Sequence, residues 1–421
     1  MKWKQADAGM AGCAEQVLSV LEAHGHEAYW VGGCVRDELM GRPVNDMDIT
    51  TSARPDEVTR LFERTVPTGI EHGTVTVLVG NYAFEVTTYR VEGSYENHRR
   101  PAEVAFVRNL SEDLRRRDFT MNAIACDRQG RIVDPYHGEN DIRKGIIRCV
   151  GEARIRFQED ALRMVRCIRF ASVFGYRIAF NTWKGLLLER EGIQYIALER
   201  IRVELDKMME GPHPFLGLSL LGRSRLLEKA RVPFTSTTVD GFLSRIGDIP
   251  SKETAVRWAL LMLACGLSGQ DAGNLMRQYT FSNDARERVE ALLFLDEEVK
   301  GLIRETNLRE QWVGLVLKYG KETVRRWLLL SSVLPQEHRG TASDELLARG
   351  LEWMDEMKIF HLHELQIGGS DLIAVSGKKG GPWVGELLKQ LLFKAAAGML
   401  PNTKLDLTEE VRRVMVTDEK G

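Results

Sequence analysis

The sequence has no apolar run long enough to cross a bilayer: its longest apolar stretches, such as Trp258 to Cys265, fall well short of the roughly 20 residues a spanning helix needs. The first residues, Met1 to Asp7, hold no apolar signal region either, so a cytoplasmic chain without a membrane partner is expected. Cysteine is sparse. The six present (Cys13, Cys34, Cys126, Cys149, Cys167 and Cys265) form no CxxC pair and lack the density of a disulfide scaffold, which suits a reducing compartment and ordinary buried thiols. Net charge is nearly absent as well: a formal value of -2 excludes coating nucleic acid by bulk charge, although it leaves room for a local basic groove. Neither a tandem repeat nor a low-complexity tract is evident.

What is present is ample apolar material, 43% of 421 residues, enough for several domains. The first third reads as mixed α/β. Residues Cys13 to Ala23 carry apolar side chains at helical spacing, and Gly25 can end that helix in a left-handed conformation before the extended Ala28 to Val31. Thr74 to Val79 alternates and is β-branched, Gly80-Asn81 supplies a turn, and Tyr82 to Tyr89 resumes an extended pattern, which predicts a hairpin. From about Ala153 the pattern changes to amphipathic helices over Glu159–Phe174, Glu199–Met209, Thr254–Leu267, Asp284–Leu302 and Glu310–Leu330, with Gly211-Pro212 and Pro233 to Thr238 as joints. The fold class expected is an α/β head followed by a mainly helical remainder.

Most of the chemical information lies in Val31-Gly32-Gly33-Cys34-Val35-Arg36-Asp37 followed by Asn45-Asp46-Met47-Asp48-Ile49. On a strand, residues two apart face the same way, so Asp46 and Asp48 present both carboxylates on one side. That arrangement suits Mg²⁺, a hard ion that takes carboxylate and phosphate oxygens. Gly32-Gly33 follows an extended segment and precedes a helix carrying Arg36, so bare backbone N–H groups and a guanidinium can meet phosphates there. A third carboxylate is expected from a neighbouring strand, with Glu85 the best candidate. The alternative reading of Glu85 is an exposed strand residue.

Asp160 and Arg163 are i, i+3 neighbours on the helix expected over Glu159–Phe174 and can project into one pocket. Arg166 and Arg169 continue the spacing, while Leu162, Val165 and Ile168 give the helix a side to pack on. Standing alone, such a helix reads as a solvated arginine face.

These segments, with Arg116-Arg117-Asp118-Phe119-Thr120-Met121-Asn122-Ala123, Glu159-Asp160-Ala161-Leu162-Arg163 and Glu199-Arg200-Ile201-Arg202-Val203-Glu204-Leu205, resemble the class II tRNA nucleotidyltransferase (CCA-adding) and bacterial poly(A) polymerase family. The resemblance is strong through about Met1 to Gly211, loose between Phe215 and Gly369, and returns at Gly380 to Val384. It implies a polymerase-β-like nucleotidyltransferase head at 1–148, a helical neck at 149–211, a helical body at 212–335 and a tRNA-binding helical tail at 336–421. It further implies catalytic Asp46, Asp48 and Glu85, Mg²⁺ on Asp46 and Asp48, and nucleotide binding by Gly33, Arg36, Arg117, Asp160, Arg163, Arg166 and Arg169. For a family that selects two bases, Asp160 and Arg163 offer an explanation: cytosine and adenine both present an exocyclic amine donor beside a ring-nitrogen acceptor, which a carboxylate and a guanidinium complement, whereas uracil and guanine present a carbonyl beside a ring N–H and leave groups mismatched at roughly 1–3 kcal/mol each. The implied partners are tRNA through its 3′ end and acceptor region, with CTP and ATP as substrates; a homodimer is allowed but not required.

Within the family, Tyr89 to Ala105 resembles the flexible loop needed to switch from cytidine to adenosine addition, and Pro67 to Thr74 looks like the CCA-adding form. A full CCA-adding enzyme is therefore expected, with an A-adding-only enzyme and a poly(A) polymerase as enzymatic alternatives and a catalytically silent RNA-binding protein as the non-enzymatic one. No His-Asp dipeptide occurs, so the phosphohydrolase domain of some relatives is not expected, and His361-x-His363 reads as surface. Arg99, Arg100, Arg115, Arg116, Arg143, Lys144 and Arg148 can supply a phosphate-contacting surface under either reading.

Overall fold

The computed structural model describes residues 3–92, 95–96, 100–101, 104–234, 243–302 and 307–418. The chain divides into two compact units, Met1–Thr235 and Ser236–Gly421. The first opens on helix α1 (Ala8–Ala23), whose start is capped by the Asp7 carboxylate accepting the Met10 N–H at 2.9 Å. Met10, Ala14, Val17, Leu18 and Leu21 form its buried stripe. Gly25, at φ +82°, turns the chain out of the helix and into strand β1 (Ala28–Val31), as the sequence predicts.

A seven-stranded mixed sheet follows, built from β1, β2 (Ile49–Thr51), β3 (Thr65–Gly69), β4 (Thr74–Val79), β5 (Tyr82–Thr88), β6 (Ala125–Cys126) and β7 (Ile132–Val133) in the order β7-β6-β1-β2-β5-β4-β3. The expected hairpin is present: β4 and β5 pair antiparallel from Thr74↔Thr87 to Val79↔Tyr82, and Gly80 turns at φ +58°. The strands alternate strictly. Val75, Val77, Phe84 and Val86 pack with Met47, Ile49 and the α1 stripe in one buried cluster, so the intervening side chains, Glu85 included, face away from α1. Tyr89 leads into two short ribbons, Arg90–Glu92 with Val104–Phe106 and Tyr95–Glu96 with Arg100–Pro101. Much of the expected switching loop, including Gly93-Ser94 and Asn97-His98-Arg99, lies outside the described residues.

Beyond the sheet the unit is helical, and here one expectation is corrected. The single helix predicted over Glu159–Phe174 is two helices, α2 (Ala153–Glu159) and α3 (Leu162–Phe174), broken at Asp160, whose backbone is extended at φ -139° and ψ 106°. Along α3 the burial repeats every three residues, with Arg163, Arg166 and Arg169 the less buried positions between buried Leu162, Val165, Ile168 and their neighbours. Helix α4 (Leu198–Met209) packs alongside it.

The second unit is wholly helical among its described residues. Trp312 and Trp327 are completely buried at its centre, their indole N–H groups donating to the Gly350 carbonyl at 2.9 Å and to Asp296 Oδ1 at 3.1 Å. The expected helix over Glu310–Leu330 is also two, Leu308–Tyr319 and Lys321–Val333, because Gly320 adopts φ +81° between them. Among the described residues no helix is long and apolar enough to cross a membrane.

Candidate active site

Asp46 and Asp48 lie not within a strand, as expected, but on the extended segment that leads into β2. The alternation still holds: Met47 turns into the core at 2% exposure, while Asp46 is exposed and Asp48 half-buried on the other side. The Asp48 carbonyl accepts the Val31 N–H at 3.0 Å, which ties the carboxylate segment to the end of β1. Directly after β1, Gly32 sits at φ +77° and ψ -121° and starts the short helix Gly33–Leu39 that carries Arg36. That positive φ favours glycine, and a Cβ there would also stand 2.8 Å from Arg117 Nη1 and displace the guanidinium.

Asp46, Asp48, Gly33, Arg36, Arg117, Asp160, Arg163, Arg166 and Arg169 all line one cavity of about 510 Å³. Nine of the ten residues singled out in the sequence therefore converge. The tenth, Glu85, is exposed and does not line the cavity, yet it precedes Val86, the β5 partner of Ile49, and its charge reaches Asp48.

The cationic wall is held by a network. Arg36 donates to Asp37 at 3.0 and 2.8 Å and to Asn122 Oδ1 at 2.6 Å, and its guanidinium stands over the rings of Phe170 and Phe174 at 5.3 and 5.0 Å. Arg117 donates to the buried Asp113 at 3.3 Å. Arg166 makes two bonds to Asp118 Oδ2, at 2.9 and 2.7 Å, and Arg169 donates to Glu204 at 2.7 Å. Arg163 is gripped by Glu159 and by the carbonyls of Arg156 and Arg116. Asp160 accepts the Leu162 N–H on Oδ1 at 3.0 Å and Arg200 Nη2 on Oδ2 at 2.9 Å. Of the expected surface bases, Arg116 and Arg148 are committed to the buried Asp113 and Asp141.

The carboxylate pair differs. Among the described residues neither Asp46 nor Asp48 takes part in an ion pair or accepts a side-chain hydrogen bond. Burial, then the Asp46 charge, and to a lesser degree Glu85, push the Asp48 carboxyl up to about 6 against the pull of Arg117 and Arg36. No group of three or more His, Cys, Asp or Glu side chains among the described residues is arranged to hold a metal. A two-carboxylate donor set in want of positive charge nevertheless fits a hard dication whose other ligands are water and phosphate oxygens. Arg117 and Arg200, which line the same cavity, each bury one guanidinium N–H group, at Nε and Nη1, that has no acceptor among the described residues.

Arg200, Asp118 and Asn122 line the cavity without having been assigned a role from the sequence, although all three stand in quoted motifs. The i, i+4 spacing of Arg200 and Glu204 on one amphipathic helix was the available signal.

A mixed sheet presenting an unpaired carboxylate couple to an arginine-lined cavity defines, with the match of the Poly A polymerase head domain family to residues 28–148, a nucleotidyltransferase. Residues 175–231 match the "Probable RNA and SrmB- binding site of polymerase A", and residues 250–411 match tRNA nucleotidyltransferase domain 2. The chain is 38% identical to the CCA-adding enzyme of Geobacillus thermodenitrificans over 92% of its own length and 93% of that protein's, and 36% identical to that of Bacillus mycoides over 95% and 98%. It belongs to the CCA-adding enzyme family. Its fold matches the Bacillus stearothermophilus CCA-adding enzyme crystallised with CTP at a TM-score of 0.80, with 33% identity and coverage of 97% of this chain and 98% of that one. The Thermotoga maritima CCA-adding enzyme complexed with tRNA matches in fold at 0.70, with 19% identity over 98% and 97%.

Proposed function

We propose that this enzyme adds C, C and A to the 3′ end of tRNA from CTP and ATP without a nucleic-acid template, releasing pyrophosphate. The observation that carries the reading is that Asp46 and Asp48, in no ion pair among the described residues, line one cavity together with Asp160 and Arg163. In the reaction the terminal ribose hydroxyl of the tRNA attacks the α-phosphate, an O–P bond forms, and the bond to pyrophosphate breaks. Asp46 and Asp48 would hold Mg²⁺, which when bound would stabilise charge on the reacting phosphate and ease loss of the hydroxyl proton. Glu85 adds negative charge beside Asp48. The backbone of Gly33 and the guanidiniums of Arg36 and Arg117 bind the triphosphate, with Arg166 and Arg169 serving phosphate and sugar.

Selection of the base is assigned to Asp160 and Arg163. The Asp160 carboxylate accepts from the exocyclic amine and Arg163 donates to the ring nitrogen, so the side chains stand where a template base would. Asp160 is not on the same helix as Arg163, but the break before α3 leaves its carboxylate at the helix start, on the cavity. We further assign the head to residues 1–148, the neck to 149–211, the body to 212–335 and a tRNA-binding tail to 336–421, in the cytoplasm.

The test is direct. Supplied with tRNAs lacking CCA, CA or only the terminal A, and with each nucleotide singly and together, the enzyme extends all three to mature ends and stops. Extension of only the last substrate would make it an A-adding enzyme, and long adenosine tails a poly(A) polymerase. Replacing Asp160 with Ala relaxes discrimination against UTP by roughly tenfold or more, the scale of one lost charged hydrogen bond, measured as the ratio of kcat/KM values for CTP and UTP.

A further inference from the structure

Base selection through a side chain demands that the side chain stay still. A carboxylate that swings about its last bond offers its oxygens over a range of directions, and a base edge is then read loosely. Asp160 sits at a helix break, where backbone geometry does least to fix a side chain. Its two oxygens are nevertheless both engaged. Oδ1 accepts the Leu162 N–H at 3.0 Å, and Oδ2 accepts Arg200 Nη2 at 2.9 Å. Each oxygen has a further lone pair, so neither bond closes the carboxylate to a ligand. Among the described residues Arg200 is the only side chain that holds it.

Arg200 comes from α4, not from the segment that carries Asp160. One turn further along the same helix, Glu204 accepts Arg169 Nε at 2.7 Å and lies 3.7 Å from Arg166 Nη1. One face of α4 thus grips the selecting segment at two levels, with a cation on Asp160 and an anion on the arginines of α3. Arg200, which lines the same cavity, also carries at Nη1 a buried donor with no acceptor among the described residues.

We propose that Arg200 is a positioning residue for nucleotide selection: it locks the Asp160 carboxylate in the direction from which it reads the base edge, so that specificity for C and A over U and G depends on α4 as well as on Asp160 and Arg163. The inference rests on the proposed base-reading role of Asp160. A lysine at this position supplies charge and one hydrogen bond, but not the planar, rigid guanidinium that fixes the direction of that bond.

The experiment compares wild type with Arg200→Ala, Arg200→Lys, Asp160→Ala and the double variant Asp160→Ala/Arg200→Ala, using tRNA lacking the CCA end and CTP, ATP, UTP or GTP singly, with thermal unfolding of each as a fold control. The expected result is that Arg200→Ala lowers the preference for CTP over UTP by roughly tenfold, that Arg200→Lys restores part of it, and that the double variant discriminates no worse than Asp160→Ala alone. A residue that merely holds the fold would lower turnover with all four nucleotides alike and leave their ratios intact; that outcome overturns the inference. If Asp160→Ala alters selection and Arg200→Ala does not, the base-reading role stands and the positioning role falls. If Asp160→Ala leaves selection unchanged, both fall. Should Arg200→Ala fail to fold, the lysine variant carries the comparison, and unaltered nucleotide ratios in it overturn the proposal.

Discussion

Asp48 and Asp118 line the same cavity, and burial acts on both carboxyls in the same direction, upward, yet they end far apart. Burial and then the neighbouring Asp46 charge carry Asp48 up to about 6. For Asp118 burial is outweighed by Arg166, by the Asn122 side-chain amide and by Arg163, which together hold it down to about 2. The difference separates two uses of a buried acid. Asp118 is part of the frame: it anchors Arg166 on α3, and its charge is balanced from within the chain. Asp48 is incomplete, since its nearest charged neighbours include two more carboxylates and it takes part in no ion pair among the described residues. A dication would supply what the fold withholds.

The comparison breaks most visibly at the incomplete member. Asp46→Ala is expected to lower nucleotide incorporation by roughly a thousandfold or more, the scale of losing a principal source of transition-state charge stabilisation, while thermal stability stays level or rises because a like charge leaves the side of Asp48. Single-turnover incorporation and a melting curve measure the two halves of that statement, and near-normal turnover would sink the assignment. The complete member should behave in the opposite sense. Asp118→Asn leaves Arg166 with a much weaker partner in a largely dry setting and is expected to cost roughly 3 kcal/mol in denaturant unfolding. Because the native Asp118 lies below its unfolded value, its contribution is present above about pH 4 and is lost as the pH falls toward 2. The asparagine variant should therefore lose the acid-dependent part of the wild-type curve.

How much of this was legible in the sequence follows from the range of the forces involved. The α1 stripe, the β4–β5 hairpin and the arginine spacing of α3 are local patterns of period 3.6 or 2, and each appears where those periods place it. Asp46-x-Asp48 was readable too, since alternation needs only an extended backbone and not a strand. The breaks at Asp160 and Gly320 were harder, because apolar residues continue in helical register on both sides of them. The pairings were not readable at all. Asp118 with Arg166 joins residues 48 apart, Asp160 with Arg200 joins residues 40 apart, and Arg36 with Asn122 joins residues 86 apart. One sequence shows the residues of such a network without showing who meets whom, so Arg200 stood in a quoted motif with no role. Glu85 shows the converse: a neighbouring strand carrying it was expected and β5 does pair with β2, but local alternation says nothing of which side chains reach the cavity, and Glu85 does not line it.

A last effect sharpens the contrast through pH alone. In protein stripped of divalent ions, Asp48 binds its proton more tightly when folded than when unfolded, the unfolded value being near 3.8 and the folded one about 6. Its contribution to stability is then fully present below pH 4 and is lost as the pH rises through 6. Asp118 runs the other way, with its contribution growing as the pH rises from 2 to 4, so the two acids bracket the acid half of the stability curve from opposite sides. Asp48→Asn should flatten the decline between pH 4 and 7 by an amount comparable in size, and opposite in sign, to the acid-dependent part lost from Asp118→Asn. Adding Mg²⁺ at pH 7 should raise the wild-type melting temperature, because a ligand that binds only the native state stabilises it, and should do little for the variant. A wild-type protein whose melting temperature ignores both pH in this interval and Mg²⁺ would mean that the positive charge Asp48 lacks is supplied from within the chain, and the distinction between the two aspartates would collapse.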